Sequence, residues 1–217
     1  MSAPRLVLAT RNEHKVTELV RLLRPAVPDL GDEDVVAASH LAGRGLPDPG
    51  EVAETGVTFT ENALLKARAV AGATGLPAVA DDSGLCVAVL GGAPGVFSAR
   101  WAGRHGDDEA NLQLLLAQLA DVAAPHRAAW FECAAAFVDP RPGVPDAERE
   151  VVTVGRLTGT LTTEPRGRNG FGYDPVLVPD GGTRTSAELS PAEKDAISHR
   201  GQAMRALRPR LVAALAR

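Results

Sequence analysis

The chain has 217 residues, 45% hydrophobic and 23% charged, which at roughly 150 residues per domain fits one large domain or two lobes sharing a core, and excludes disordered and collagen-like classes. A net charge of −4 and a pI near 5.7 exclude a nonspecific nucleic-acid or membrane-surface binder, which needs a large positive field. No apolar stretch approaches the roughly 18 residues of a membrane span, Leu6–Ala9 is too short for a secretory signal, and Cys86 and Cys133 form no CxxC, so a cytoplasmic chain with buried thiols is expected rather than a disulfide scaffold or a zinc site.

Arg5–Ala9 is an apolar strand candidate, and Val16, Leu19, Val20 and Leu23 then fall on the i, i+3, i+4, i+7 template of a helix that starts at Asn12 and stops before Pro25 and Pro28. Val35–Ala38 reads as a second strand and Leu41–Gly50, rich in Gly and Pro, as a loop. Thr58 and Glu61 have the capping-box spacing, which predicts a helix over Glu61–Gly72. Pro77–Ala80 is a buried-strand candidate that runs into Asp81-Asp82-Ser83-Gly84, so the carboxylates are expected where the strand leaves the core. Asp107–Ala120 is helical by period, and Ala129–Phe137 and Arg149–Leu157 alternate as strands. Thr162–Pro175 is a Gly- and Arg-rich loop, with a short strand following at Pro175–Val178. Ser190-Pro191-Ala192-Glu193 is a capping box with Pro at N1, and Pro209 is expected to break or kink the last helix near Arg208. Alternating helical and strand patterns make the class α/β.

Five constellations have chemical potential. Thr10-Arg11-Asn12-Glu13-His14-Lys15 stands where a strand enters a helix, a place that favours phosphate, although it is equally an ordinary N-cap with Lys15 in solvent. The phosphate-loop and dinucleotide glycine motifs are both absent. Asp81 and Asp82 repel one another unless a hard cation joins them to a ligand; the alternative is a solvated Asx turn. Asn62 and Lys66 share a helical face, with Glu54 nearby as a second possible metal ligand, or form an ordinary surface pair. Gly170-Phe171-Gly172-Tyr173-Asp174-Pro175 offers aromatic rings in a glycine loop, to stack on a flat ligand or to plug the loop from beneath. Lys194 and His199 lie about 140° apart on a straight helix at roughly 100° per residue, so converging on one ligand requires a distortion around Ile197–Gly201.

In series, LVLATRNEHKVTEL at Leu6–Leu19, ETGVTFTENALLKA at Glu54–Ala67, LPAVADDSGLCVAVLGGAPGVFSARWAG at Leu76–Gly103, NGFGYDP at Asn169–Pro175 and ELSPAEKDAISHRGQAM at Glu188–Met204 resemble the inosine/xanthosine triphosphate pyrophosphatase family, the RdgB-type non-canonical purine nucleoside triphosphatases. The resemblance implies one domain over residues 1–217, with an elongated mixed α/β sheet flanked by helices, two lobes and a substrate cleft between them. It also implies a homodimer and Mg²⁺-dependent cleavage of XTP, ITP and dITP to monophosphate and pyrophosphate. By motif position it makes Asp82 the general base and a metal ligand, with Glu54 a second ligand. Thr10, Arg11, Asn12, Glu13, His14, Lys15 and Lys66 would face the phosphates, and Ser83 would be a substrate contact. Phe171, Gly172, Tyr173, Asp174, Lys194, His199 and Arg200 would face the base and sugar. Two departures stand: Arg11 occupies a position where relatives often have glycine, and Ala53 one where they often have an acid. A related hydrolase of other modified nucleotides, or a binding module without turnover, is the alternative reading.

Overall fold

A computed structural model of the chain describes residues 4–11 and 13–216, with side chains for all of these except residues 13 and 14. Strand β1 (Leu6–Leu8) leads through helix α1 (Glu13–Leu23) to β2 (Val35–Ala37), which pairs with it in parallel, Leu6 opposite Val35. Every residue of β1 and β2 is buried, as expected of parallel strands covered on both faces. Helix α2 (Phe59–Thr74) begins with the expected capping box: Thr58 Oγ1 accepts the Glu61 N–H while the Glu61 carboxylate accepts the Thr58 N–H. It ends on Gly75, whose φ of 70° permits the left-handed cap.

Strand β3 (Ala78–Val87) corrects an expectation. Asp81-Asp82-Ser83-Gly84 is not a turn; the strand passes straight through these four residues. In the sheet order β2-β1-β3-β4-β5-β6, β3 has a hydrogen-bonded neighbour on each side; β1 reaches only Ala78 and Val79, and the strand runs on past it through residues that in isolation would favour a turn. Helix α3 (Asp108–Gln118) follows, then the long strands β4 (Ala128–Val138) and β5 (Glu150–Leu161), with the short helix α4 (Asp146–Arg149) between them. Strand β6 (Leu177–Pro179) pairs antiparallel to β5, Thr160 opposite Val178. From Gly155 to Leu161 the residues of β5 alternate buried and exposed, the pattern of a sheet with one wet face. The sheet is therefore mixed, as expected.

Helices α5 (Pro191–Ile197) and α6 (His199–Leu215) are separated by Ser198, whose ψ of 141° is extended. This is the expected distortion, and the Ser198 hydroxyl oxygen accepts the Gly201 N–H to start α6. Pro209, by contrast, does not end a helix: α6 runs through it. A proline inside a helix costs about 3 kcal/mol, and buried Leu207, Leu211, Ala214 and Leu215 on the same helix offset that cost.

The chain divides into two compact units. The first comprises residues up to 82, 134–154 and from 203 onward; the second comprises 83–133 and 155–202. The core of the second unit joins Leu85, Val87, Leu112, Leu115, Leu119, Phe131, Leu157 and Leu177. At its edge Arg127, 1% exposed, spends its guanidinium on main-chain carbonyls: those of Leu119 and Val122 at the end of α3 and those of Leu161 and Thr162 at the end of β5. Cys86 and Cys133 are both buried, as expected, and form no disulfide. Among the described residues, no helix is long and apolar enough to cross a membrane.

Candidate active site

In the first unit, Lys15, Glu54, Asn62 and Lys66 gather around Asp81 and Asp82 of β3. Successive strand residues face opposite sides, and Asp81 and Asp82 do so. Oδ2 of Asp81 lies 2.8 Å from Nζ of Lys15 on α1. Oδ1 of Asp82 lies 2.9 Å from Nζ of Lys66 on α2. Each carboxylate therefore has its own lysine, and the two acids face apart. The Lys66 ammonium also meets Glu54 Oε1 at 2.8 Å, so Glu54 and Asp82 converge on a single positive charge.

Burial pushes the Asp82 carboxyl above the ordinary carboxylate value, with Glu54 adding to the rise; Lys66 and the Asn62 amide oppose it without cancelling it. Burial also works to lower the Lys66 ammonium, but the neighbouring charges of Asp82 and Glu54 outweigh it, so Lys66 is held more firmly protonated than a free lysine. Thr10 lies half-buried just past β1, its N–H bonded to the Leu8 carbonyl. Arg11 is exposed. Asn12 and the side chains of Glu13 and His14 lie outside the described residues. Ser83 is exposed on β3.

In the second unit, the Gly170–Pro175 loop separates its two aromatics. Phe171 is 77% exposed and lies 5.5 Å beneath the Lys194 ammonium. Tyr173 is 4% exposed, packs in the core, and donates its hydroxyl to the Ser98 carbonyl at 2.9 Å. Only Phe171 therefore offers an open ring face; Tyr173 is the plug beneath the loop. Asp174 is buried and accepts from both Lys194 Nζ and the Phe171 N–H, while the Gly172 N–H donates to Asp108 at 3.0 Å. Gly170 leaves no room for a side chain, since a Cβ there would stand 2.1 Å from Asp174 Oδ2. The His199 ring stacks on Phe131 with centroids 5.1 Å apart. Arg200 follows it, half-buried, in the first turn of α6.

The sequence profile of the Ham1 family matches residues 6–210. Among similar proteins, the dITP/XTP pyrophosphatase of Streptomyces avermitilis is 62% identical over 94% of this chain and 96% of its own length, and that of Mycobacterium tuberculosis is 52% identical over 95% of each. The chain belongs to the Ham1 family. Solved structures agree. The nucleoside-triphosphatase / dITP/XTP pyrophosphatase of Mycobacterium abscessus superposes with a TM-score of 0.75 at 50% identity, covering 94% of this chain and 98% of that one. A HAM1 protein from Coxiella burnetii gives 0.81 at 41% identity over 97% and 99%.

Two residues of this Ham1-family chain belong to the networks although the site reading from sequence left them out. Asp81 was visible as half of an acidic pair, but its partner Lys15 is 66 residues away and no local pattern connects them. Asn62 stood out by its helical spacing to Lys66; its burial, complete at 0% exposure, is the added fact.

Proposed function

We propose that this protein hydrolyses dITP, XTP and ITP to nucleoside monophosphate and pyrophosphate with Mg²⁺. The observation that carries the reading is the Lys66 ammonium held by Glu54 and Asp82: a mixed-charge cluster that suits a phosphate chain and its counter-ion, in a chain whose relatives at 52–62% identity are dITP/XTP pyrophosphatases.

Asp82 and Glu54 suit a divalent ion, because both carboxylates already converge on one cation. Among the described residues no group of three or more His, Cys, Asp or Glu is placed to hold a metal. Mg²⁺ needs no such group, since it commonly takes one or two carboxylates and completes its shell with waters and substrate phosphates. When bound, Mg²⁺ offsets charge on the phosphate oxygens.

The chain's own groups then divide the work. Asp82, its carboxyl raised by burial, takes the proton of the attacking water as general base. Oδ2 is the oxygen we assign to that proton, because Oδ1 is engaged by Lys66 and the Asn62 contact to Oδ2 is long at 3.4 Å. Lys15 and Lys66 offset the charge that grows on the departing pyrophosphate. Asp81 keeps Lys15 in place. In the second unit, Phe171 supplies a ring face for the purine, and donors of His199 and Arg200 pair with the 6-carbonyl that hypoxanthine and xanthine carry and adenine lacks. Ser83, Gly172, Asp174 and Lys194 complete the contacts. We take the working form to be a cytoplasmic homodimer, supported by the family resemblance and, for the compartment, by two buried cysteines that form no disulfide.

The test is incubation with Mg²⁺ and dITP, ITP, XTP, ATP, GTP, CTP or UTP separately, scoring pyrophosphate and orthophosphate. Pyrophosphate from the first three and little from the rest is expected; orthophosphate, or equal turnover of all seven, overturns the reading of bond or base.

A further inference from the structure

Asn62 is buried in the first unit and touches both acids' surroundings at once. Its Oδ1 accepts the Gly56 N–H at 2.8 Å, and its Nδ2 donates to Asp82 Oδ2 at 3.4 Å. One helical turn along α2, Lys66 binds Asp82 Oδ1 and Glu54. Residues four apart share one helix face, so one helix contacts both oxygens of the Asp82 carboxylate, closely at Oδ1 and at longer range at Oδ2. It also grips the Glu54–Gly56 segment at two points, one side chain and one main-chain amide. Gly56 shows how close this packing is: a Cβ there would stand 2.7 Å from Asn62 Oδ1 and 2.6 Å from the Glu61 Cβ. An amide suits the place because it is an acceptor and a donor on one planar group. An aspartate would keep the acceptor but lose the donor and add a repelling charge.

We infer that Asn62 is a positioning residue that sets the plane of the Asp82 carboxylate and the reach of Glu54 from one buried amide. The inference rests on the proposed hydrolysis for its kinetic consequence, but its geometry stands apart from any reaction. A group that aims a base, without touching substrate, should change kcat and leave KM nearly alone, and misplacing a catalytic group by about 1 Å can cost about 10²-fold.

The experiment compares wild type, Asn62→Leu and Asn62→Asp by steady-state pyrophosphate release from dITP and by hydrogen exchange at the Gly56 amide. Asn62→Leu is expected to lower kcat about 10²-fold with KM within about twofold of wild type, and to speed Gly56 exchange at least tenfold. Asn62→Asp is expected to keep Gly56 protected, through its remaining acceptor, and still lose kcat. Unfolding midpoints identify any variant that fails to fold; if Asn62→Leu does, Asn62→Asp decides the matter through the same split between kcat and Gly56 protection. A folded variant with kcat unchanged, or with its whole loss in KM, overturns the inference. If wild type itself releases no pyrophosphate, the reaction assigned to the protein fails instead. The Gly56 amide then decides the geometry: unchanged exchange in folded Asn62→Leu overturns it, and faster exchange there with protection kept in Asn62→Asp supports it.

Discussion

Asp81 and Asp82 are neighbours in sequence and strangers in space: on β3 the first reaches Lys15 at 2.8 Å and the second Lys66 at 2.9 Å. Neutral isosteres should therefore act differently. Asp82→Asn removes the proposed base and is expected to lower kcat about 10²–10⁴-fold with the fold intact. Asp81→Asn leaves the base and loosens Lys15; its loss in kcat should be much smaller, and its unfolding free energy lower by about 1–3 kcal/mol. Pyrophosphate release and urea unfolding on both variants check this, and equal kinetic losses would contradict it.

Glu54 shares Lys66 with Asp82, and as a metal ligand it would matter most when metal is scarce. Glu54→Gln is expected to raise the Mg²⁺ concentration for half-maximal activity about tenfold or more while approaching wild-type turnover at saturation. An unchanged Mg²⁺ titration would leave Asp82 as the only protein ligand in the proposal.

The aromatic pair in the Gly170–Pro175 loop should separate binding from stability. Phe171→Ala removes an exposed ring and is expected to raise KM for dITP about tenfold, the scale of one lost base–aromatic stack at about 1–3 kcal/mol, with no change in Tm. Tyr173→Phe removes the buried hydroxyl bond to Ser98 and should cost about 1 kcal/mol of stability with kinetics unchanged. Steady-state kinetics and thermal melts on the pair would expose a reversed assignment.

Asp139 gives a pH prediction in the first unit. Its side chain is fully buried, and Arg141 binds both of its oxygens at 2.8 Å. Burial works to raise this carboxyl, but the Arg141 hydrogen bonds and the Arg210 charge prevail and hold it below its ordinary 3.8. A group depressed in the folded state stabilises above its unfolded value and loses that contribution as pH falls through the folded value. Asp139→Asn should then cost about 3–5 kcal/mol at pH 7, and the gap from wild type should narrow only below about pH 4. Urea midpoints of both proteins at pH 7, 5 and 3 measure it; a gap that closes already at pH 5 would assign the stability to another group.

The features legible in the sequence were those decided within a few residues. The caps at Thr58 and Ser190 are local hydrogen-bond chemistry, and the break at Ser198 followed from the angle between Lys194 and His199 on an ideal helix. Asp81–Gly84 misled because its residues favour turns in isolation, whereas the sheet that β3 joins is built with strands distant in the chain. Of the break or kink expected at Pro209, the break is overturned for a related reason: a local penalty yielded to packing along the whole of α6. The acidic pair was seen, but its division between two lysines needed the strand geometry that the turn reading had removed.

The buried Arg127 marks where this chain should not be opened. Its four carbonyl bonds fasten the end of α3, 8 residues before it, to the end of β5, 35 residues after it, with the guanidinium against the electron-rich end of a helix. A tag, a nick or an inserted domain between Leu119 and Arg127 would cut that fastening, whereas one at Gly181-Gly182 would interrupt only an exposed turn after β6. For anyone wishing to split this enzyme into complementing halves or permute its order, the turn after β6 is the place to cut and the stretch before β4 the place to leave whole.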